Sequence, residues 1–170
     1  MEGTVMIKKI MVPIAFSKYS RGILDYAANL AESTAAELCI VNVINARDLE
    51  AVNKITAFGY KVDTDNYLEI VHKERRDEIA KMSEHLTLPD DKVSFSFMVG
   101  DPAEELLHFV VESDIDMVVM GIKTRDITHM FAGSVAERLF RRCPVPIVSY
   151  RGDDIAERLR KRVEKHIHSH

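Results

Sequence analysis

The sequence predicts a layered α/β domain built on a mainly parallel sheet. Short apolar runs of strand length alternate along the chain with longer segments of helical periodicity. One run, residues 38–44 (LCIVNVI), is apolar almost throughout, the pattern of a strand covered on both faces. At 170 residues, 46% of them hydrophobic, the chain is long enough for one core.

The elements follow in order. Residues 9–14 (KIMVPI) read as a short apolar strand. In residues 21–32, Ile23, Leu24, Ala27, Leu30 and Ala31 fall on one face, the spacing of an amphipathic helix. The second strand, 38–44, leads into a polar stretch, 45–65, whose one regular feature is a short helix around 49–56. Residues 66–86 form a charged helix with a sparse stripe of Leu68, Val71, Ile79, Met82 and Leu86. After the turn Leu88-Pro89-Asp90-Asp91, the residues Val93, Phe95, Phe97 and Val99 alternate with Ser94, Ser96 and Met98 as a strand. Asp101 is placed to cap the next helix, Pro102 to take its first position and Glu104 to complete a capping box. Residues 115–120 make the fourth strand, Ser134 opens a helix running to about Arg142, and Val145 to Tyr150 (VPIVSY) make the fifth strand.

These elements assign 1–151 to one domain and 152–170 to a separate amphipathic tail. In the tail Ile155, Leu159, Val163 and Ile167 recur every fourth residue. Its charges nearly balance, so packing on the domain or on a second subunit is expected rather than membrane binding. A net charge of −4 excludes a general nucleic-acid binder. No apolar run is of membrane-spanning length, and Lys8, Lys9 and Pro13 interrupt the opening stretch, which reads as a strand and not a signal peptide. Cys39 and Cys143 are expected to be reduced thiols in a cytoplasmic protein. The histidines of the ending 166–170 are expected to fray, and no metal site is predicted. No motif of a P-loop, a nucleophile elbow or a zinc protease is present. Enzymatic activity, at most slow ATP hydrolysis, has no evident catalytic residue.

In a doubly wound sheet, ligands sit outside the carboxyl ends of the strands where strand order reverses. Two loops have suitable chemistry. One follows the first strand: Pro13, Ile14, Ala15, Phe16 and Ser17. The other follows the fourth strand, through Gly121, Lys123, Thr124 and Arg125, and ends at Gly133-Ser134 on a helix start. A helix N-terminus offers free N–H groups and a partial positive charge to a phosphate. Ser134 with Glu137 would cap that helix whether or not a ligand is bound.

Met120-Gly121, Gly133-Ser134-Val135-Ala136-Glu137 and Cys143-Pro144-Val145-Pro146-Ile147-Val148, preceded by the opening residues 8–17, resemble the signatures of the universal stress protein family. The resemblance implies a Rossmann-like, doubly wound, five-stranded parallel sheet in the order 3-2-1-4-5, with helices on both faces. It also implies a homodimer joined through the fifth strands; the amphipathic stripe of residues 153–170, outside the resemblance, offers a further contact. One branch of the family binds ATP or AMP. The other does not, and serves as a protein-interaction scaffold.

In binding members the motif is a glycine, two residues, a second glycine, nine residues, then Gly-Ser or Gly-Thr. Here Gly121 and Gly133-Ser134 match, Thr124 replaces the second glycine, and eight residues, 125–132, stand where nine are expected. Binding members also carry an acidic residue where this chain has Ala15. Losing one partner of a buried polar contact costs about 1–3 kcal/mol, roughly 5- to 150-fold in affinity. A threonine Cβ at a left-handed position adds on the order of 1 kcal/mol. The resemblance thus implies a weakened adenine-nucleotide or phosphate site. Val43 and Met120 would meet the base or ribose, beside Pro13, Ile14, Ala15 and Ser17. Gly121, Thr124, Gly133, Ser134 and Val135 would line the phosphates, with Lys123 and Arg125 supplying charge. Phe16 or Phe131 is the side chain expected to plug the pocket if the chain is of the non-binding kind.

Overall fold

The computed structural model describes residues 6–57, 64–122 and 134–167. Five parallel strands form one sheet in the order β3-β2-β1-β4-β5. They are β1 (Lys9–Pro13), β2 (Glu37–Asn45), β3 (Val93–Gly100), β4 (Met117–Gly121) and β5 (Ile147–Tyr150). The helices are α1 (Ser20–Thr34), α2 (Ala46–Ala57), α3 (Thr64–Ser83), α4 (Pro102–Glu112), α5 (Val135–Arg142) and α6 (Asp153–Ile167). The order is the one the sequence resemblance implies, with the reversal between β1 and β4.

Period-two alternation divides the core into two layers. Ile10, Val12, Leu38 and Ile40 face α1 and α3, meeting Leu24, Ala27, Ala31 and Ile79. Met11, Cys39, Val41 and Val118 face α4 and α5, meeting Leu106, Val110 and Leu139. Both faces of the central strands are therefore dry, which is why β1 and β2 read as unbroken apolar runs. Both cysteines are free thiols. Among the described residues no helix is long and apolar enough to cross a membrane.

Two expected boundaries shift and one strand face is more exposed than expected, each for a local reason. β4 begins at Met117 because Ile115 belongs to the end of α4. Its N–H donates to the Val110 carbonyl at 3.0 Å, and Asp114 turns through the left-handed region at φ 51°. β5 begins at Ile147 because Pro144 and Pro146 have no N–H to give a ladder. β3 is an edge strand, so Phe95 and Val99 stay about half exposed instead of forming a buried face.

Asp101 caps α4 as predicted, accepting from the N–H groups of Ala103 and Glu104 at 3.1 Å each. Glu104 does not close a capping box. Its carboxylate goes to Arg138 at 2.6 Å and to Arg142 at 2.6 Å, while Arg138 also grips both oxygens of Asp101. This clamp ties the start of α4 to α5. The Arg138 guanidinium, with the Glu104 N–H, holds the Asp101 carboxyl below the usual carboxylate range. A depressed folded pKa stabilises above the unfolded value and fades as pH falls through the folded one, so this contribution weakens below about pH 4. Asp101→Ala is expected to lose about 1 kcal/mol at neutral pH, mainly the cap. Asp101→Asn keeps the cap and is expected to lose less, because the half-exposed ion pair is screened. Urea unfolding at pH 7 and pH 3 measures both, and the difference between the wild type and the Asp101→Asn variant shrinks at the lower pH.

Candidate functional site

The β1–α1 loop is fixed by both backbone groups of Ile14. Its N–H donates to the Val41 carbonyl at 2.9 Å, and its carbonyl accepts from Asn42 Nδ2 at 2.7 Å. Asn42 is 2% exposed inside β2, and its Oδ1 accepts from Arg75 of α3 at 2.5 Å. Past this anchor Phe16 turns through the left-handed region at φ 51°. Its ring packs against the α1-side core, under the Arg75 guanidinium at 5.7 Å. Ser17 and Ser20 then close the loop: the Ser17 N–H donates to Ser20 Oγ at 2.8 Å, and the Ser20 N–H to the Ser17 carbonyl at 2.9 Å.

At the other side of the sheet's reversal point, Ser134 Oγ accepts from the Glu137 N–H at 3.1 Å and caps α5. The N–H groups of Val135 and Ala136, in the first turn, have no carbonyl within the helix to bond. The α4–α5 clamp holds this helix start against the sheet.

Between these two structures lies a cavity of about 900 Å³. Pro13, Ile14, Ala15 and Ser17 line it from the first loop, Val43 from β2, Met120 and Gly121 from β4, and Ser134 and Val135 from α5. All nine are residues the sequence singled out. Lys123, Thr124, Arg125 and Gly133, with Phe131, lie outside the described residues. Phe16 does not line the cavity.

Sequence reasoning missed several walls. Lys18, Tyr19 and Ile23 come from the start of α1, Pro102 and Leu106 from α4, and Tyr150, Gly152 and Ile155 from the chain after β5 begins. Burial pushes the Tyr150 phenol up, with Asp153 and Asp25 adding to it, so it stays a protonated donor. Beside it in β5 and just beyond, Ser149 Oγ and Arg151 Nη1 are buried with no hydrogen-bond partner. Strand alternation puts Ser149 on the same face as Ile147, the α4–α5 side, where Val135 and Met120 also lie. Apolar walls at β2 and β4 and the first-turn N–H groups of α5 together suit a flat apolar ring carrying an anionic group.

Residues 6–151 match the family described as the Universal stress protein family. The chain belongs to the universal stress protein family. A universal stress protein of Methanothermobacter thermautotrophicus is 30% identical over 146 residues, 84% of this chain and 94% of the relative. Universal stress protein UspA from Lactobacillus plantarum superposes with a TM-score of 0.67 at 17% identity, covering 87% of this chain and all of that one. The Archaeoglobus fulgidus universal stress protein in complex with dAMP gives a TM-score of 0.60 at 19% identity, covering 86% of this chain and all of that one. At these identities the two structures establish a shared fold. The family's shared span ends at Arg151, so Gly152, Ile155 and all of α6 stand beyond it.

Proposed function

We propose that this protein binds an adenine nucleotide, weakly, in the cavity at the β1–β4 reversal and acts as a sensor or binding module in a stress response. The observation that carries the reading is the convergence on one 900 Å³ cavity of the β1–α1 loop and the N-terminus of α5. The volume lies in the range of small-molecule sites, about 300–1,000 Å³. A family relative bound to dAMP supports an adenine nucleotide as the class of occupant.

Ala15 sets the affinity, since it offers no acceptor to a ribose hydroxyl. Val41, Val43 and Met120 would hold the base, and the first N–H groups of α5 would take a phosphate, with Lys123 and Arg125 adding charge. The reading assigns these residues binding roles and no catalytic step. A second reading, an interaction scaffold without nucleotide, draws on Ala15 and Thr124. Against it, Phe16, one of the two side chains expected to plug the cavity, packs on the α1-side core and does not line it. The reading extends to a homodimer through the free edge of β5, residues 145–150, with α6 as a further contact.

Calorimetric titration with ATP, ADP and AMP tests the binding role. The expected result is saturable heat with a Kd in the high micromolar to millimolar range. Absence of heat from all three at millimolar ligand would reject it.

A further inference from the structure

The helix beyond the family's shared span is joined to the cavity itself. Gly152 is buried and Ile155 is 2% exposed, and both line the cavity. The N–H groups of Ile155 and Ala156 return to the Gly152 carbonyl at 2.9 Å each, which sets the first turn of α6 against the cavity. Two arms from the start of α1 hold that turn. The Tyr19 phenol donates to Asp154 Oδ2 at 2.9 Å, and Lys18 Nζ approaches the same oxygen at 3.0 Å. Lys18 and Tyr19 are cavity residues too. The Tyr19 ring lies so close to Gly152 that an added Cβ would stand 2.6 Å from it.

Among the described residues, the part of α6 that lines the cavity is this first turn. Further along the same stripe, Val163 is 58% exposed and Ile167 66%. With α6 in place the cavity still measures about 900 Å³, so the helix encloses the space without filling it.

We propose that α6 is a ligand-contacting wall of the nucleotide cavity, with Ile155 meeting the ligand and Asp154 positioning it through Lys18 and Tyr19. This rests on the nucleotide reading above. The wall is supplied by chain outside the family's shared fold, so it tunes this protein's affinity and selectivity separately from the motif residues. Apolar contact with Ile155 favours the flat base or the ribose carbon face over a bare phosphate.

The test is an AMP titration of the full chain as wild type, Ile155→Ala and Ile155→Trp, paired with amide exchange of residues 153–159. Losing the Ile155 contact is expected to weaken AMP about five- to twentyfold, the equivalent of about 1–2 kcal/mol. The tryptophan is expected to weaken binding at least as much by intruding on the ligand's place at this wall, and AMP is expected to slow exchange in 153–159. Circular dichroism establishes that each variant is folded. Equal AMP affinity in all three proteins, or exchange in 153–159 indifferent to AMP, overturns the wall.

If the wild type binds no nucleotide, the proposed function falls, and ligand-free exchange decides the wall alone. Cutting both arms with Tyr19→Phe and Asp154→Ala is expected to speed exchange in residues 15–20 as well as in 153–159. Unchanged exchange in 15–20 would show that α6 does not cover the cavity.

Discussion

Ala15→Asp is expected to tighten AMP binding about tenfold, within the roughly 5- to 150-fold range of a regained polar contact. Ala15 lines the cavity and is exposed at its rim, one residue past the doubly anchored Ile14. A carboxylate there would be held by a fixed backbone, and the water it sheds on binding takes back part of the gain, which keeps the expected effect at the lower end of the range. It would accept from a ribose hydroxyl, the interaction the alanine lacks. Ala15→Asn supplies an acceptor without charge and is expected to give a smaller gain. As an exposed substitution, each changes folding stability by no more than about 0.5 kcal/mol. Calorimetry on the three proteins measures the series, and equal affinities would remove the ribose contact from the account.

Asn42→Ala is expected to lower stability by about 2–4 kcal/mol. The side chain is 2% exposed and makes two bonds, to the Ile14 carbonyl and from Arg75. Each group stranded without its partner costs about 1–3 kcal/mol, and the partly exposed Arg75 recovers some of its share from water. The effect reaches the site. Without Asn42 the loop carrying Ala15 and Ser17 is held to β2 only through the Ile14 N–H, so AMP affinity falls together with stability. Replacing both partners, Asn42→Leu with Arg75→Met, leaves only the Ile14 carbonyl unpaired and is expected to recover part of the stability. Urea unfolding reads both effects. A loss under about 0.5 kcal/mol in Asn42→Ala would show that this bridge does not hold the loop.

Asn42 also marks where the sequence was legible and where it was not. The apolar run LCIVNVI announced β2, but the buried hydrogen-bonding role of its one polar residue, Asn42, was not read from it. The partner, Arg75, sits 33 residues away on a charged helix with nothing local to distinguish it. The sheet was readable because apolar runs with both faces covered leave little choice of layer, and the motif residues supplied the strand order. The motif side of the cavity was readable for the same reason. Its other walls were not, because Tyr19, Leu106 and Ile155 look like ordinary helix residues until the fold brings them together. The four-residue repeat in the tail correctly gave a helix. It could not show that the first turn is seated against the cavity, since that depends on Lys18 and Tyr19 reaching Asp154 across 135 residues or more.

The most direct test of the nucleotide site is an AMP titration followed by backbone amide NMR. The account predicts progressive shifts at residues 14–17, at Gly121 and Ile122, and at Val135 and Ala136, with β3 and the exposed end of α6 unmoved. Shifts confined to surfaces away from the β1–β4 reversal, or none at millimolar AMP, would contradict it.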